Sequence, residues 1–137
     1  MMDYTDTFGK NAGKVWNALN KHGPLSTTSL LKNTRLTEND LFAAIGWLAR
    51  ENKVTKVGTK YQLGETNLTD IIGTDAGKIW SILNTNQTQT CDLPYIVENK
   101  QIPVRDAYSA LGWLARENKI QIVKDRLRNS QYCFKLK

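Results

Sequence analysis

The sequence predicts a mainly α-helical protein with small β-hairpins, an α+β chain built from two tandem copies of one unit. Three observations predict it. The octamer Gly46-Trp47-Leu48-Ala49-Arg50-Glu51-Asn52-Lys53 returns unchanged as residues 112–119, 66 positions later in a chain of 137. Apolar residues at i, i+3, i+4 and i+7 recur in helical phase in both halves. Each octamer is followed by short β-prone runs around polar turns, as in Val54–Val57 and Tyr61–Leu63.

The repeat reaches beyond the octamer. Thr5-Asp6, Gly9, Ala12-Gly13-Lys14, Trp16 and Leu19-Asn20 recur 64 residues on as Thr69-Asp70, Gly73, Ala76-Gly77-Lys78, Trp80 and Leu83-Asn84. The offset grows from 64 to 66, so the second copy carries two extra residues in the polar stretch between Asn84 and Asp92. We expect units at 1–65 and 66–137, linked near Gly64-Glu65-Thr66-Asn67. A unit of that size buries only about 60% of its unfolded surface. Packing two copies together would relieve the shortage.

In the first copy, Ala12, Val15, Trp16 and Leu19 mark helix one, and His22-Gly23-Pro24 stops it. Trp16 and its counterpart Trp80 fall on this apolar face and are expected in the core. Ser26 caps a short helix two carrying Leu30 and Leu31, and Asn33-Thr34-Arg35 turns the chain. Thr37 caps helix three, with Asp40 at its third position and Leu36 stapled against Leu41. That helix runs to about Asn52, and a hairpin turned by Gly58-Thr59-Lys60 follows. The second copy repeats the plan: helix one over about 74–83, a helix capped by Asp92 and reaching about Asn99, and a third helix opened by Pro103. It closes with the hairpin 120–123 and 132–136 around the loop 124–130. Helix, helix, tight turn, helix, hairpin is the order of a winged helix-turn-helix, with the hairpin as the wing.

Helix three carries the functional question. Leu41, Ala44, Ile45 and Leu48 share one face and point to the core. The opposite stripe is Asn39, Ala43, Gly46 and Arg50, and in the second copy Arg105, Ser109, Gly112 and Arg116. Phe42 or Tyr108 flanks it on one side, and Trp47 or Trp113 on the other. A glycine inside a helix costs about 0.8–1.0 kcal/mol relative to alanine, so its presence in both copies points to a close approach. One candidate is double-stranded DNA, with Asn39 suited to adenine and Arg105 to guanine in a major groove. The other is a protein partner or the second copy itself, packed on Ala43, Gly46, Trp47, Ser109, Gly112 and Trp113. A solvated face is the third reading. If Gly46 and Gly112 lie buried between the copies, the stripes form an interface and cannot also read a groove.

The net charge of +6 and pI near 9.4 permit a nucleic-acid partner without requiring one. The excess is even, at +3 in each half: nine Lys/Arg against six Asp/Glu in 1–68, and ten against seven in 69–137. Phosphate contacts would fall to Lys56 and Lys60 on the first wing, and to Lys124, Arg126 and Arg128 on the second. Lys100 and Arg105 make the second helix-three tip friendlier to DNA than the first, which carries Glu38 and Asp40. The second copy should therefore dominate any such binding.

No catalytic constellation, phosphate loop, metal set or cofactor motif emerges, and an enzyme is not expected. His22 sits in a turn, and Ala-Gly-Lys at 12–14 and 76–78 lacks the spacing of a P-loop. Cys91 and Cys133 both belong to the second copy and read as buried thiols. With no targeting segment and no membrane span, a cytoplasmic location is expected.

Through Ala12-Gly13-Lys14-Val15-Trp16 with Ala44-Ile45-Gly46-Trp47-Leu48-Ala49-Arg50-Glu51, and through the same two blocks at 76–80 and 110–117, the chain resembles a family of small winged helix-turn-helix proteins. These occur in bacteria and archaea and are catalogued largely as a domain of unknown function. The resemblance implies the winged-helix fold and a nucleic-acid role, but supplies no functional residues. Family members resemble single units able to pair as homodimers, whereas here the pair lies in one polypeptide. The function expected is therefore a DNA-binding transcriptional regulator or accessory factor, with a protein-interaction module as the alternative.

Overall fold

The computed structural model describes residues 3–86, 90–125 and 131–137. The first copy is α1 (Thr5–His22), β1 (Leu25–Ser26), α2 (Thr27–Thr34), α3 (Glu38–Arg50), β2 (Val54–Val57) and β3 (Lys60–Leu63). The second is α4 (Thr69–Thr85), β4 (Cys91–Asp92), α5 (Leu93–Lys100), α6 (Val104–Arg116), β5 (Ile120–Asp125) and β6 (Gln131–Leu136).

Local chemistry sets the helix boundaries. The Ser26 hydroxyl accepts the Ser29 amide at 3.2 Å, the Thr37 hydroxyl the Asp40 amide at 3.2 Å, and the Asp92 carboxylate the Tyr95 amide at 2.9 Å. Arg35 and Gln101 end α2 and α5 in the left-handed region. Asn52 and Asn118, at φ 59° and 60°, do the same after α3 and α6. There the Lys53 amide donates to the Leu48 carbonyl and the Lys119 amide to the Leu114 carbonyl, the pattern of a Schellman cap. Asparagine tolerates this backbone better than most residues, which explains its place in both octamers.

The structure departs from sequence expectation in several places, the second wing among them: its strands reach Asp125 and begin at Gln131, beyond the expected 120–123 and 132–136. Each sheet has three strands, not two. Leu25↔Tyr61 and Ser26↔Lys60 add β1 to the first wing, and Cys91↔Phe134 and Asp92↔Cys133 add β4 to the second. Helix α4 begins at Thr69, about five residues earlier than its apolar spacing suggests. Trp16 and Trp80 are not core residues: they are 37% and 40% exposed. The buried stripe of α1 runs instead through Phe8, Asn11, Ala12, Val15 and Leu19. Trp16 lies 100° around the helix from Val15, at the edge of that stripe.

One continuous hydrophobic cluster spans both copies, from Phe8 and Leu41 to Ile96 and Phe134. The link between copies is also tied down. The Asn67 side chain bonds both the amide and the carbonyl of Lys56, and Thr66 donates its amide to Asn52. At the other end, Tyr4 donates its amide to the Ile122 carbonyl and Asp3 accepts the Ile122 amide. Asp3 and Asn67 are counterparts, as are Ile122 and Lys56. The residue ahead of each copy's first helix thus clasps the wing of the other copy.

Candidate nucleic-acid interface

Helices α3 and α6 pack directly on each other along their glycine stripes. A Cβ on Gly46 would lie 1.8 Å from the Ser109 carbonyl oxygen, and one on Gly112 would lie 1.9 Å from that of Ala43. The contact is backbone to backbone, and only glycine allows it. The helices run parallel, because their N-terminal ends meet through Glu38 and Arg105 and their C-terminal ends through Arg50 and Glu117. Matched positions differ by about 66, so the pair has a pseudo-twofold axis along its length.

That symmetry gives the octamer its roles. Arg50 pairs with Glu117 at 3.1 Å, and Arg116 pairs with Glu51 at 3.0 Å. Each guanidinium also lies over the other copy's tryptophan: Arg50 at 5.7 Å from Trp113, Arg116 at 5.8 Å from Trp47. Lys53 and Lys119 reach the same two glutamates at 3.7 and 3.5 Å. Trp47 in turn rests on Gly9, where a Cβ would stand 2.9 Å from its ring, and Trp113 lies over Gly73 less tightly, at 3.7 Å. The ion pairs are partly solvated, so each contributes about 0.5–1 kcal/mol. The apolar contact supplies most of the cohesion.

Helix three is therefore covered on two sides. Its core face packs under α1 or α4, and the stripe expected to point outward lies between the copies. Ala43 is 0% exposed and Ser109 6%. Ser109 cannot reach a groove, which corrects its place among the candidate DNA contacts. The three helix-three arginines are engaged. Arg50 and Arg116 hold the opposite copy's glutamates, and Arg105 binds Glu38 at 2.5 Å while lying 5.3 Å from the Phe42 ring. That hydrogen bond raises the Arg105 pKa further above its ordinary value. Asn39 is exposed at the α3 tip, and Lys100 is half-buried at the end of α5.

The wing cations face solvent. Lys56 lies 5.6 Å from the Tyr61 ring, and Lys60 is exposed next to the turn. Lys124 sits 4.8 Å from Tyr4 and 5.5 Å from Tyr132. Arg126 and Arg128 lie outside the described residues. Tyr108, which the helical phase sets at the flank of the stripe, and Tyr132, which no sequence signal marks, line a cavity beside the α3 tip. Burial pushes the Tyr108 phenol up to about 12, with the Asp40 carboxylate adding to the effect, and raises Tyr132 for the same two reasons. Cys91 and Cys133 are buried and no disulfide joins them. Among the described residues, no helix is long and apolar enough to cross a membrane.

Comparison with known proteins agrees with this architecture. The family model described as a winged helix-turn-helix domain (DUF2582) matches twice, over residues 1–63 and 67–136. No curated protein sequence matches the chain. A solved structure of the mRNA-binding domain of elongation factor SelB from E. coli, in complex with SECIS RNA, aligns over 93% of this chain and 97% of that one. Its identity of 17% and TM-score of 0.34 make the likeness too slight to bear on this chain's partner. The two matches of the family model cover nearly every residue, and the chain belongs to the winged helix-turn-helix DUF2582 family as a tandem duplication.

Proposed function

We propose that the chain is a non-enzymatic DNA-binding accessory factor or regulator that grips the duplex backbone with its wings rather than reading bases with helix three. The observation that carries this reading is the division of cations. Arg50, Arg105 and Arg116 are each tied to a carboxylate of the other copy, while Lys56, Lys60 and Lys124 remain at solvent-facing wing positions. Paired helix-turn-helix units that read DNA through two recognition helices set them about 34 Å apart, in successive major grooves. Helices in backbone contact cannot span that distance. Phosphate contacts from a wing carry no base code, so the expected binding is weakly sequence-selective.

A gel-shift salt series tests the proposal. With three to five wing cations engaged, log affinity should fall by about 0.9 per log salt for each phosphate neutralised. The K56A/K60A variant should flatten that slope by about two such steps, and K124A by one. R50A and R116A should leave it unchanged. Absence of binding at about 50 mM salt refutes the proposal, and so does an RNA duplex that binds far more tightly than DNA.

A protein-interaction module is the second reading, and the exposure of Trp16 and Trp80 favours it. The helix-three stripes are already used between the copies. A protein partner would therefore cover helix one, where Gly13 and Gly77 border open space. Acrylamide quenching of those two tryptophans would then fall when the partner binds.

A further inference from the structure

The pseudo-twofold axis makes each contact between the copies predict a twin, and one twin is missing. At the α6 tip, Arg105 lays its guanidinium over Phe42 and bonds Glu38. The offset of 66 places Asn39 beside Tyr108 and puts Val104 where Glu38 stands. Asn39 is too short to cover the Tyr108 ring as Arg105 covers Phe42. In place of a filled contact there is a cavity of about 410 Å³, bordered by Asn39, Asp40, Pro94, Tyr108, Gln131 and Tyr132.

The outer wall of this cavity is peculiar to the second copy. The first wing pairs four residues with four, ending at Val57↔Lys60. The second runs two pairs further, through Lys124↔Tyr132 and Asp125↔Gln131, and the residues it adds to β6 are those that line the cavity. Divergence at the helix-three tip of one copy and the wing of the other therefore meets at a single place. Among the described residues, the lining holds a carboxylate, two side-chain amides and two phenols and no lysine or arginine, with Lys124 on the far strand, 5.5 Å from the Tyr132 ring. The Asp40 carboxylate borders the same cavity as Tyr108 and Tyr132. The volume lies within the range of small-molecule sites, about 300–1,000 Å³.

We infer that this cavity binds a guanidinium group, which takes the place that Arg105 fills in the other half. The Tyr108 ring stands where Phe42 stands and borders the cavity, so a planar cation seated there would lie against it. Asp40 supplies the counter-charge, and the amide oxygens of Asn39 and Gln131 accept from the remaining N–H donors. The group can arrive on a small free molecule or on an arginine side chain of a partner protein.

NMR titration of the intact chain tests this with two probes: agmatine for the free molecule and a blocked Gly-Arg-Gly peptide for the side chain. Either probe should produce saturable shifts at Asn39, Tyr108 and Tyr132 in the low-millimolar range. Equal affinities assign the site to free guanidinium compounds, whereas a peptide that binds at least 10-fold more tightly assigns it to a partner's arginine. Asn39→Arg, which supplies the missing guanidinium from within, should abolish the shifts, and Asp40→Asn should weaken binding about 10-fold. Spectral dispersion of the free variants verifies that they are folded. Three results would each overturn the inference: no saturable shift with either probe up to 20 mM, urea binding as well as agmatine, or unchanged binding by folded Asn39→Arg.

Discussion

Replacing Gly46 with alanine adds one methyl group at the tightest point of the molecule. Its carbon would stand 1.8 Å from the Ser109 carbonyl oxygen, 2.6 Å from the carbonyl carbon and 3.0 Å from Cα, all backbone atoms of a packed helix. No rotamer change relieves that clash. Ordinary contact near 3.5 Å requires α3 and α6 to separate by roughly 1.5 Å. Overpacking of this kind costs about 1–3 kcal/mol, and rigid backbone on both sides places this case at the upper end. The gain from removing a mid-helix glycine is about 1 kcal/mol. A net loss near 2 kcal/mol follows, or a fall in Tm of roughly 6–10 °C for a chain of this size. Gly112→Ala should behave alike, because its Cβ would meet the Ala43 carbonyl at 1.9 Å. The double variant should lose less than the sum, since helices parted by the first methyl already accommodate the second. Gly13→Ala and Gly77→Ala are the controls. Nothing lies within 4 Å of either added carbon, so helix propensity alone should raise stability by about 0.5–1 kcal/mol each. Calorimetry of the four single variants reads the signs directly. A Gly46→Ala protein as stable as Gly13→Ala would refute the backbone contact.

Two further outcomes follow from local chemistry. Tyr108 is pushed up to about 12 chiefly by burial, so the folded state keeps its proton where an unfolded tyrosine near 10 loses it. The contribution is fully present below pH 10 and is lost as pH rises towards 12. Ultraviolet titration should therefore show a phenol ionising near pH 12 that is lost in Tyr108→Phe, which should also make stability less steep in that window; an unchanged titration curve in Tyr108→Phe would refute the assignment. Ser26→Ala and Asp92→Ala should each lower stability by about 1 kcal/mol through a lost helix cap. Asp92→Asn should keep most of it, and urea midpoints at constant m are the measure; an Asp92→Ala protein with the wild-type midpoint would remove the cap from the account.

Much of the fold was legible because local chemistry fixes it. Ser26, Thr37 and Asp92 announce helix starts by what their side chains can accept, and each does so in the structure. Strands β1 and β4 were not legible. A two-residue strand has no periodicity of its own and exists only because β3 and β6 pass beside it. Trp16 misled because a narrow buried stripe and a wide one share most of their positions, and its ring sits on the boundary. The glycine stripe was legible as a close approach but not as an approach to a particular surface. Leu41, Ala44, Ile45 and Leu48 account for the core by themselves, so the opposite face could have met DNA, a partner or solvent.

The identity of the two octamers held the missing information. Across a pseudo-twofold axis the same residues meet from both sides, so Gly, Trp, Arg and Glu must each serve both copies at once. A motif that read DNA independently in each copy would be under no such constraint. The positions that differ, Asn39 against Arg105 and the short wing against the long one, lie off the axis. They leave the open cavity on one side and the filled contact on the other.

The parallel pairing of α3 and α6 is the claim on which the rest depends, and isotope-edited NOE spectroscopy tests it most directly. Parallel helices in backbone contact should give cross-peaks from the Gly46 Hα protons to Ser109 Hα and from the Gly112 Hα protons to Ala43 Hα, both interhelical and both strong. A spectrum that keeps the sequential helical NOEs of α3 and α6 but lacks those two cross-peaks would contradict that pairing, and would return the glycine stripes to solvent or to a groove.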